Sequence, residues 1–164
     1  MSTEKKLVSI LMGSASDFER VKPCMEVLQN YGIPHEVHVR SAHRTPQETA
    51  DYVKDAENRG VEVFIAAAGM AAHLAGAVAA HSFLPVIGLP LAAGPLNGLD
   101  ALYATVMMPP GLPVATVGVN GAANAAHLAV QIMQGAHPEF KNLLRDKRES
   151  MKEKVLRQDA ELPR

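Results

Sequence analysis

Aromatic residues and cysteine are scarce in this sequence. It has no tryptophan, three tyrosines, four phenylalanines and one cysteine. The single cysteine, Cys24, excludes an intramolecular disulfide framework and fits a reducing compartment. It lies in a helical pattern beside Pro23, so we expect it to pack in the interior rather than to react. The lack of aromatic residues in the predicted loops argues against a flavin carrier, which stacks its ring on aromatic side chains.

Charge is scarce over the middle of the chain. The net charge is −1, which leaves no global basic field for nucleic acid. Between residues 63 and 138 the only Asp, Glu, Lys or Arg residue is Asp100, which we expect to be structural, as a helix cap or in a subunit contact. A single small domain has too little interior to bury so long an uncharged stretch. We therefore predict an obligate homo-oligomer.

Residues 63–80 come close to the length of a membrane span. They are mostly alanine and glycine, and they contain His73. These features favour a buried segment of a water-soluble protein, so we predict no membrane span. Residues 1–6 have neither a long apolar stretch nor a small-residue cleavage site, from which we predict no export signal and a cytoplasmic location.

Five short apolar segments alternate with segments of helical period. We predict strands at 7–12, 33–40, 61–67, 85–89 and 114–119, and helices at 46–59, 74–82, 99–107 and 122–134. The helix after the first strand either begins near Val21, which places Pro23 in its first turn, or is kinked at Pro23. The alternation predicts a three-layer α/β/α sandwich on a parallel sheet, for which 2-1-3-4-5 is a common strand order.

The chain is long enough for one domain with a substantial core. We predict a single domain over residues 1–164, with its core at 7–135 and a charged C-terminal helix at about 138–157. That helix carries a sparse apolar stripe, and it can pack on its own domain or reach a neighbouring subunit. The stripe consists of Phe140, Leu143, Leu144, Met151 and Val155.

A strand, a short polar turn and a helix start are predicted for residues 37–49. Thr45 and Glu48 match a capping box, and Pro46 occupies the first helical position. The turn at 41–44 therefore lies beside a helix N-terminus, which favours anions.

Two residues of this turn have complementary chemistry. Arg44 can bind a phosphate or carboxylate with its planar fork, and His43 can carry a proton near neutral pH. Anion binding beside a proton carrier predicts an enzyme that acts on a small phosphorylated metabolite.

With the strand order above, the loops after the first three strands converge at the carboxyl ends of those strands. Hydroxyls and backbone N–H groups of residues 14–17 suit a phosphate, and Asp17 can accept hydrogen bonds from ribose hydroxyls. The same polar residues could instead only cap the first helix. Small residues at 69–74 leave room for a flat ring. We expect His73 to be a helix-start or interface residue rather than a second base.

No metal site is predicted. His35 and His38 are three residues apart on a strand, so their side chains point to opposite faces. The sequence has no His-Glu-x-x-His pattern. His81, His127 and His137 have no paired acid or cysteine in the sequence.

Six motifs of the chain form an ordered set. They are Met-Gly-Ser-x-Ser-Asp at 12–17, Ser-Ala-His-Arg-Thr-Pro at 41–46, Ala-Gly-x-Ala-Ala-His-Leu at 68–74, Pro-Val-Ile-Gly-Leu-Pro at 85–90, Leu-Asn-Gly-Leu-Asp at 96–100 and Met-Pro-Pro-Gly-Leu-Pro-Val-Ala-Thr at 108–116. Together they resemble the N5-carboxyaminoimidazole ribonucleotide mutase family, the class I catalytic-subunit type of phosphoribosylaminoimidazole carboxylase. The match runs from about Leu7 to Ile132.

The resemblance implies an isomerase of de novo purine biosynthesis, which moves a carboxylate from the exocyclic nitrogen of an aminoimidazole ribonucleotide to a ring carbon. It also implies a flavodoxin-like fold, a homo-octamer, and no metal or organic cofactor. By the same resemblance, His43 is the general acid and base and Asp17 binds the ribose. The implied phosphate ligands are Ser16, Ser41 and Arg44, with Ser14 nearby. The implied surroundings of the imidazole are Gly69, Ala71, Ala72, His73 and Leu74.

One histidine is sufficient for this reaction. Decarboxylation at the nitrogen needs a proton delivered there, and carboxylation at the carbon needs a proton removed, so His43 can do both in turn. The CO₂ formed in between must stay in a small, dry, apolar chamber. The third loop, rich in alanine and glycine, can supply that chamber.

Three other functions compete with this one. A related branch carboxylates aminoimidazole ribonucleotide directly with CO₂, and has Gly-Arg-Ser-Asn in the third loop and usually lysine after the histidine. Arg44 and Ala71-Ala72-His73 favour the mutase instead. A signalling receiver domain needs acidic residues where this chain has Gly13-Ser14 and Ala67-Ala68. A non-enzymatic nucleotide-binding module of the same fold is the remote alternative.

Four positions depart from the mutase pattern. Met70 stands where glycine is common, Ala75 where proline is common, Ala101 where serine is common and Met107 where glutamine is common. These differences bear on loop shape and subunit contacts, and they leave the implied catalytic positions intact. We expect Met107 and its neighbour Met108 to fill the core or an interface.

Overall fold

A computed structural model describes residues 5–163 of the chain. The predicted absence of an export signal concerns residues 1–6, most of which lie outside the described residues. Across residues 5–163, no helix combines the length and the apolar character needed to cross a membrane.

Strands and helices alternate along the described part of the chain. The strands are β1 (Val8–Met12), β2 (His35–Val39), β3 (Val63–Gly69), β4 (Val86–Leu91) and β5 (Ala115–Thr116). The helices are α1 (Phe18–Asn30), α2 (Pro46–Asn58), α3 (Leu74–His81), α4 (Leu99–Val106), α5 (Ala122–Met133) and α6 (Phe140–Ala160). A short 3₁₀ turn, Ala15–Asp17, joins β1 to α1.

All five strands are parallel, in the order β2-β1-β3-β4-β5. In β1, Ile10 pairs with Val37 on one side and with Ile65 on the other. This order confirms the predicted flavodoxin-like α/β fold. It places β1 beside β3 while α1 and α3 cover opposite faces of the sheet, so a crevice opens at the carboxyl ends of these strands.

Successive side chains along the strands point to opposite faces of the sheet, and they pack into two separate apolar clusters. Ile10 packs under α1, α5 and α6, whereas its neighbour Leu11 packs under α2 and α3. Cys24 of α1 is fully buried in the first cluster, and this burial raises the pKa of its thiol to about 12. Cys24 therefore packs in the interior, as predicted, and its thiol stays protonated at neutral pH.

A close approach between β4 and α4 depends on a glycine. A Cβ at Gly88 would overlap the side chain of Thr105, which is buried against the sheet. The opposite side of α4 faces outward, and its exposed apolar residues are Leu99, Tyr103 and Val106. Asp100 lies in the first turn of α4, where its Oδ1 accepts a 2.9 Å hydrogen bond from the Ala101 backbone N–H. The N-cap residue of α4 is Gly98, so the helix-cap alternative for Asp100 is wrong.

Some local predictions are wrong. The 3₁₀ turn leads directly into α1, which begins at Phe18, so Pro23 lies inside the helix and not in its first turn. β4 continues to Leu91, beyond its predicted end, because it pairs with β3 along its length. β5 has two residues in place of the predicted six. Of the two places predicted for Met107, the core is excluded, because the residue is 77% exposed, and an interface stays a prediction.

The charged C-terminal helix packs on its own domain through its first turns. Phe140 and Leu144 of α6 are buried in the cluster under α1 and α5, and the distal apolar residues of α6 are more than half exposed. Just before the helix, His137 Nε2 lies 2.8 Å from Glu62 Oε2. The expectation that His137 has no acidic partner is therefore wrong, because the fold joins residues that are 75 positions apart.

Candidate active site

The crevice at the carboxyl ends of β1, β2 and β3 is a cleft of about 580 Å³. Residues of the loops at 13–17, 41–44 and 69–74 line it. A somewhat larger cleft of about 640 Å³ lies at the amino ends of β4 and β5, and its titratable lining groups are Lys54 and His81. The first cleft brings together an aspartate, two arginines and two histidines. Its side chains can bind an anion and move a proton, so we place the active site there.

Ser14 organises the first loop of the cleft. Its Oγ accepts hydrogen bonds from the Ser16 backbone N–H, at 3.3 Å, and from the Ser16 hydroxyl, at 2.9 Å. Ser14 thereby caps the 3₁₀ turn and not α1, whose N-cap residue, Asp17, makes no capping bond with its side chain. Both serines line the cleft. The hydroxyl proton of Ser14 is not used in these bonds, and it is left to donate to a ligand.

Asp17 is 9% exposed, although it lines the cleft at the start of α1. Burial raises the pKa of its carboxyl above the ordinary value, while the nearby charge of Arg20 and a hydrogen bond from the Ser14 backbone act in the opposite direction. A carboxylate in this place therefore opposes folding at neutral pH. A residue whose charge lowers the stability of the folded protein is a candidate for a functional role.

The second loop is closed by hydrogen bonds between its two ends. The Thr45 N–H donates to Ser41 O at 2.9 Å, and Thr45 Oγ1 both donates to that oxygen at 3.1 Å and accepts from the Ser41 N–H at 3.0 Å. Thr45 is the N-cap residue of α2, but the predicted capping box with Glu48 is wrong, because Ser41 takes both the hydroxyl and the N–H of Thr45. These bonds fix the turn that carries His43.

The Arg44 guanidinium joins the second loop to the first. Its Nη2 donates to Gly13 O at 2.9 Å, and its Nε donates to Ser41 Oγ at 3.4 Å. These two bonds leave three of its five N–H groups for a ligand. The two bonds hold one side of the guanidinium, and its other side is exposed. Its free N–H groups are therefore already oriented to bind an anion in the cleft.

The third loop leads from β3 into α3. Its residues that line the cleft are Gly69, Met70, Ala71, His73 and Leu74. Ala72, which the family resemblance also assigns to the substrate, is 1% exposed and does not line the cleft.

His43 and His73 meet in the cleft. Nε2 of His43 lies 2.8 Å from Nδ1 of His73, and the two rings are nearly perpendicular, at 78°. A hydrogen bond between two ring nitrogens contains one proton, so both rings cannot be protonated on these atoms at once. His73 is the N-cap residue of α3. It starts a helix, as predicted, and it also contacts the residue implied to be the acid and base.

The structure brings together all the predicted site residues except Ala72. It adds residues that the sequence analysis missed, notably Arg20, Met70 and Ala93. A signal for Arg20 exists, since it lies three residues after Asp17 and so on the same side of α1. Ala93 follows β4, and its place in the cleft depends on the path of that loop.

The family of this chain can be identified by comparing its sequence with those of known proteins. The family model for AIR carboxylase matches residues 7–154, which include all three loops. The chain belongs to the AIR carboxylase family. The family resemblance stated from the six motifs is thereby confirmed.

Individual relatives agree with this assignment. The N5-carboxyaminoimidazole ribonucleotide mutase of Pyrococcus horikoshii is 50% identical over 155 residues, which cover 94% of this chain and 88% of that protein. The enzyme of the same name from Synechocystis sp. is 44% identical over 164 residues, 100% of this chain and 93% of its own length. A crystal structure of Treponema denticola PurE matches with a TM-score of 0.88 and 29% identity, covering 97% of this chain and 99% of its own.

Proposed function

We propose that this protein is a cytoplasmic N5-carboxyaminoimidazole ribonucleotide mutase of purine biosynthesis, which works without a metal or an organic cofactor. One observation carries the proposal: Arg44, with three N–H groups left for a ligand, lies next in the chain to His43 in a single cleft. A phosphorylated nucleotide and a proton carrier can meet there. Relatives that share about half of their residues with this chain are named as this mutase.

The polar half of the cleft suits the ribose phosphate. Ser41 Oγ accepts two hydrogen bonds from Arg44, so its own proton is free to donate to a phosphate oxygen, like that of Ser14. Ser16 stands beside Ser14 in the same loop. Asp17, one residue further, accepts hydrogen bonds from the ribose hydroxyls. The imidazole then lies along the small residues of the third loop.

His43 performs both proton transfers. The bond between the carboxylate carbon and the exocyclic nitrogen breaks, its electron pair stays on the nitrogen, and protonated His43 supplies the proton that the nitrogen gains. The ring carbon then attacks the freed CO₂, and the proton of that carbon passes to His43. The histidine ends as it began, so the sum is an isomerisation that consumes no other reactant.

His73 acts as a positioning residue for this chemistry. In the free protein its Nδ1 can accept the Nε2 proton of His43 at 2.8 Å, which fixes the ring and the tautomer of His43. The exocyclic nitrogen of the substrate then replaces His73 as the acceptor.

A two-substrate assay tests the function. The purified protein is mixed with N5-carboxyaminoimidazole ribonucleotide, without ATP or metal, and the carbon-carboxylated product is followed spectroscopically. A parallel sample receives aminoimidazole ribonucleotide and bicarbonate at near-physiological concentration. We expect fast turnover only in the first sample. Turnover mainly in the second sample would identify a direct carboxylase. No turnover in either sample, from a folded protein, would refute catalysis of either kind.

Replacing Asp17 with asparagine should raise KM by roughly tenfold or more, because hydrogen bonds from ribose to a charged acceptor are lost. The same change should stabilise the protein at neutral pH. Burial raises the pKa of Asp17 in the folded state, so the stability present below its unfolded-state pKa is lost as the pH rises through the folded-state pKa. Steady-state kinetics and thermal melting measure the two effects.

The stabilising effect of Asp17→Asn should fade in acid, where the wild-type carboxyl is itself protonated. Asp51→Asn on the exposed side of α2 is the matched control. An unchanged KM in the Asp17→Asn variant would show that Asp17 does not bind the ribose. A variant less stable than the wild-type protein at neutral pH would contradict the raised pKa.

We also place the protein in a homo-octamer, as the family resemblance implies. The outward face of α4 supports assembly, because Leu99, Tyr103 and Val106 lie at helical spacing and are all about half exposed. Phe83, before β4, is fully exposed. Side chains of this kind are usually covered in the working form of a protein.

Tyr103→Glu should break the assembly, since a carboxylate in an apolar contact is left without a partner. Size-exclusion chromatography with light scattering measures the mass, which we expect to fall below that of eight chains. Lys154→Glu, on the exposed side of α6, is the control and should keep the wild-type mass. An octamer that survives Tyr103→Glu would exclude this face from the contacts.

A further inference from the structure

Arg20 carries a charge that the fold of residues 5–163 does not use. It lies in the first turn of α1, where the positive end of the helix dipole disfavours a cation. Its guanidinium is exposed and has no hydrogen-bond partner among these residues, whereas that of Arg44 makes two such bonds. Because Arg20 also lines the cleft, a role in binding explains its position better than a role in folding.

The charges of the cleft leave a place for a second cation. The acidic and basic residues that line the cleft are Asp17, Arg20 and Arg44, and its other titratable residues are His43 and His73. Arg44 is assigned to the phosphate of the nucleotide. Arg20 is then the permanent cation of the cleft that is left to offset the carboxylate of Asp17.

Asp17 and Arg20 influence each other at the start of α1. They are three residues apart, so their side chains lie on the same side of the helix. Burial raises the pKa of the Asp17 carboxyl, and the nearby charge of Arg20 opposes this effect. No hydrogen bond joins the two side chains in the described structure, so the interaction depends on charge.

We propose that Arg20 is a positioning residue for the nucleotide, and that it acts through Asp17 by supplying the positive charge that offsets this buried carboxylate. The inference rests on the proposed function, in which Asp17 accepts hydrogen bonds from the ribose. A charged acceptor binds hydroxyls more strongly than a neutral one, and a protonated carboxyl loses part of its accepting capacity. Arg20 thus keeps Asp17 in the form that binds ribose, without itself touching the ribose.

A double-mutant cycle tests this role. The four proteins are the wild type, Arg20→Met, Asp17→Asn and the double variant. The ligand is aminoimidazole ribonucleotide, because its binding needs no turnover. We expect Arg20→Met to raise the dissociation constant by roughly two- to fivefold, the factor that an ion pair at a partly exposed site contributes. In the Asp17→Asn background the same change should have no effect.

Two further variants show whether the charge of Arg20 is what matters. Arg20→Lys keeps the positive charge and should keep the wild-type dissociation constant. Lys22→Met is the matched control, since it removes a cation from an exposed position of α1 outside the cleft, and it should leave binding unchanged.

Thermal melting of the same four proteins gives a readout without any ligand. Without Arg20 the pKa of Asp17 in the folded state rises further, so more stability is lost as the pH rises through that pKa. At neutral pH, Arg20→Met should therefore lower the melting temperature relative to its effect in the Asp17→Asn background. The difference should vanish in acid, where Asp17 is protonated. The unfavourable interaction of Arg20 with the helix dipole is the same in both backgrounds and cancels in the cycle.

Several results would overturn the inference. Equal effects of Arg20→Met on binding with and without Asp17→Asn would make Arg20 a direct ligand of the nucleotide. Unchanged binding by Arg20→Met, an equal loss of affinity in Arg20→Lys, or melting effects that do not depend on Asp17 would exclude the role as well. A wild-type protein that binds the nucleotide and makes no product would instead overturn the mutase function, and the cycle would still decide the role of Arg20.

Discussion

Replacing His43 with asparagine is expected to lower kcat by at least about 10³-fold. Proton transfer by a positioned side chain contributes about 10²- to 10⁴-fold, and this histidine is assigned two such transfers in one cycle. An asparagine amide cannot accept and return a proton. It can, however, donate a hydrogen bond to His73, so the second and third loops should keep their arrangement.

The mechanism further predicts how the His43→Asn protein binds. Because the phosphate ligands and Asp17 are untouched, the dissociation constant for the nucleotide product should stay within a few-fold of the wild-type value. His81→Asn, at an exposed position outside the cleft, is the control and should keep full activity. A His43→Asn protein that folds, binds and turns over at the wild-type rate would exclude His43 as the acid and base.

Replacing Arg44 with lysine should raise KM by on the order of 10- to 100-fold while kcat changes little. A hydrogen bond to a charged group contributes about 1.5 to 3 kcal/mol, and lysine cannot reproduce the planar fork. It also cannot maintain the two bonds to Gly13 O and Ser41 Oγ while binding a ligand in the same geometry. The phosphate takes no part in bond making, so its binding is equal in the ground state and the transition state.

Arg44→Met provides a sharper version of this test, because it keeps the length of the side chain and removes the charge. It should raise KM further than Arg44→Lys does. Arg145→Lys, on the exposed part of α6, is the matched control and should leave both constants unchanged. A large fall in kcat with an unaltered KM would contradict a phosphate-binding role and place Arg44 in the chemical step.

The fold follows from local patterns in the sequence, and so it could be predicted. The continuous apolar run of β3 is typical of an interior parallel strand, and β3 lies between β1 and β4. The convergence of three loops on one cleft then follows from the topology. Gly60 ends α2 with a φ of 95°, as its position after a helical pattern predicts.

Details of the site could not be predicted, because they depend on which of several possible hydrogen-bond partners a side chain binds in the folded protein. Thr45 has the sequence pattern of a capping box, yet its hydroxyl bonds Ser41 across the turn. The 2.8 Å contact between His43 and His73 depends on side-chain directions in two loops that are 30 residues apart. Ala72 is buried although its neighbours Ala71 and His73 line the cleft, and residue type carries no signal for that.

A crystal structure with the carbon-carboxylated nucleotide bound would test the central claim, that three loops form one substrate site around His43. We predict the phosphate within hydrogen-bond distance of Arg44 and Ser41, and the imidazole against the third loop, with its exocyclic nitrogen near His43 Nε2. A nucleotide bound instead in the larger cleft beside His81, with the loops after β1, β2 and β3 empty, would contradict the account.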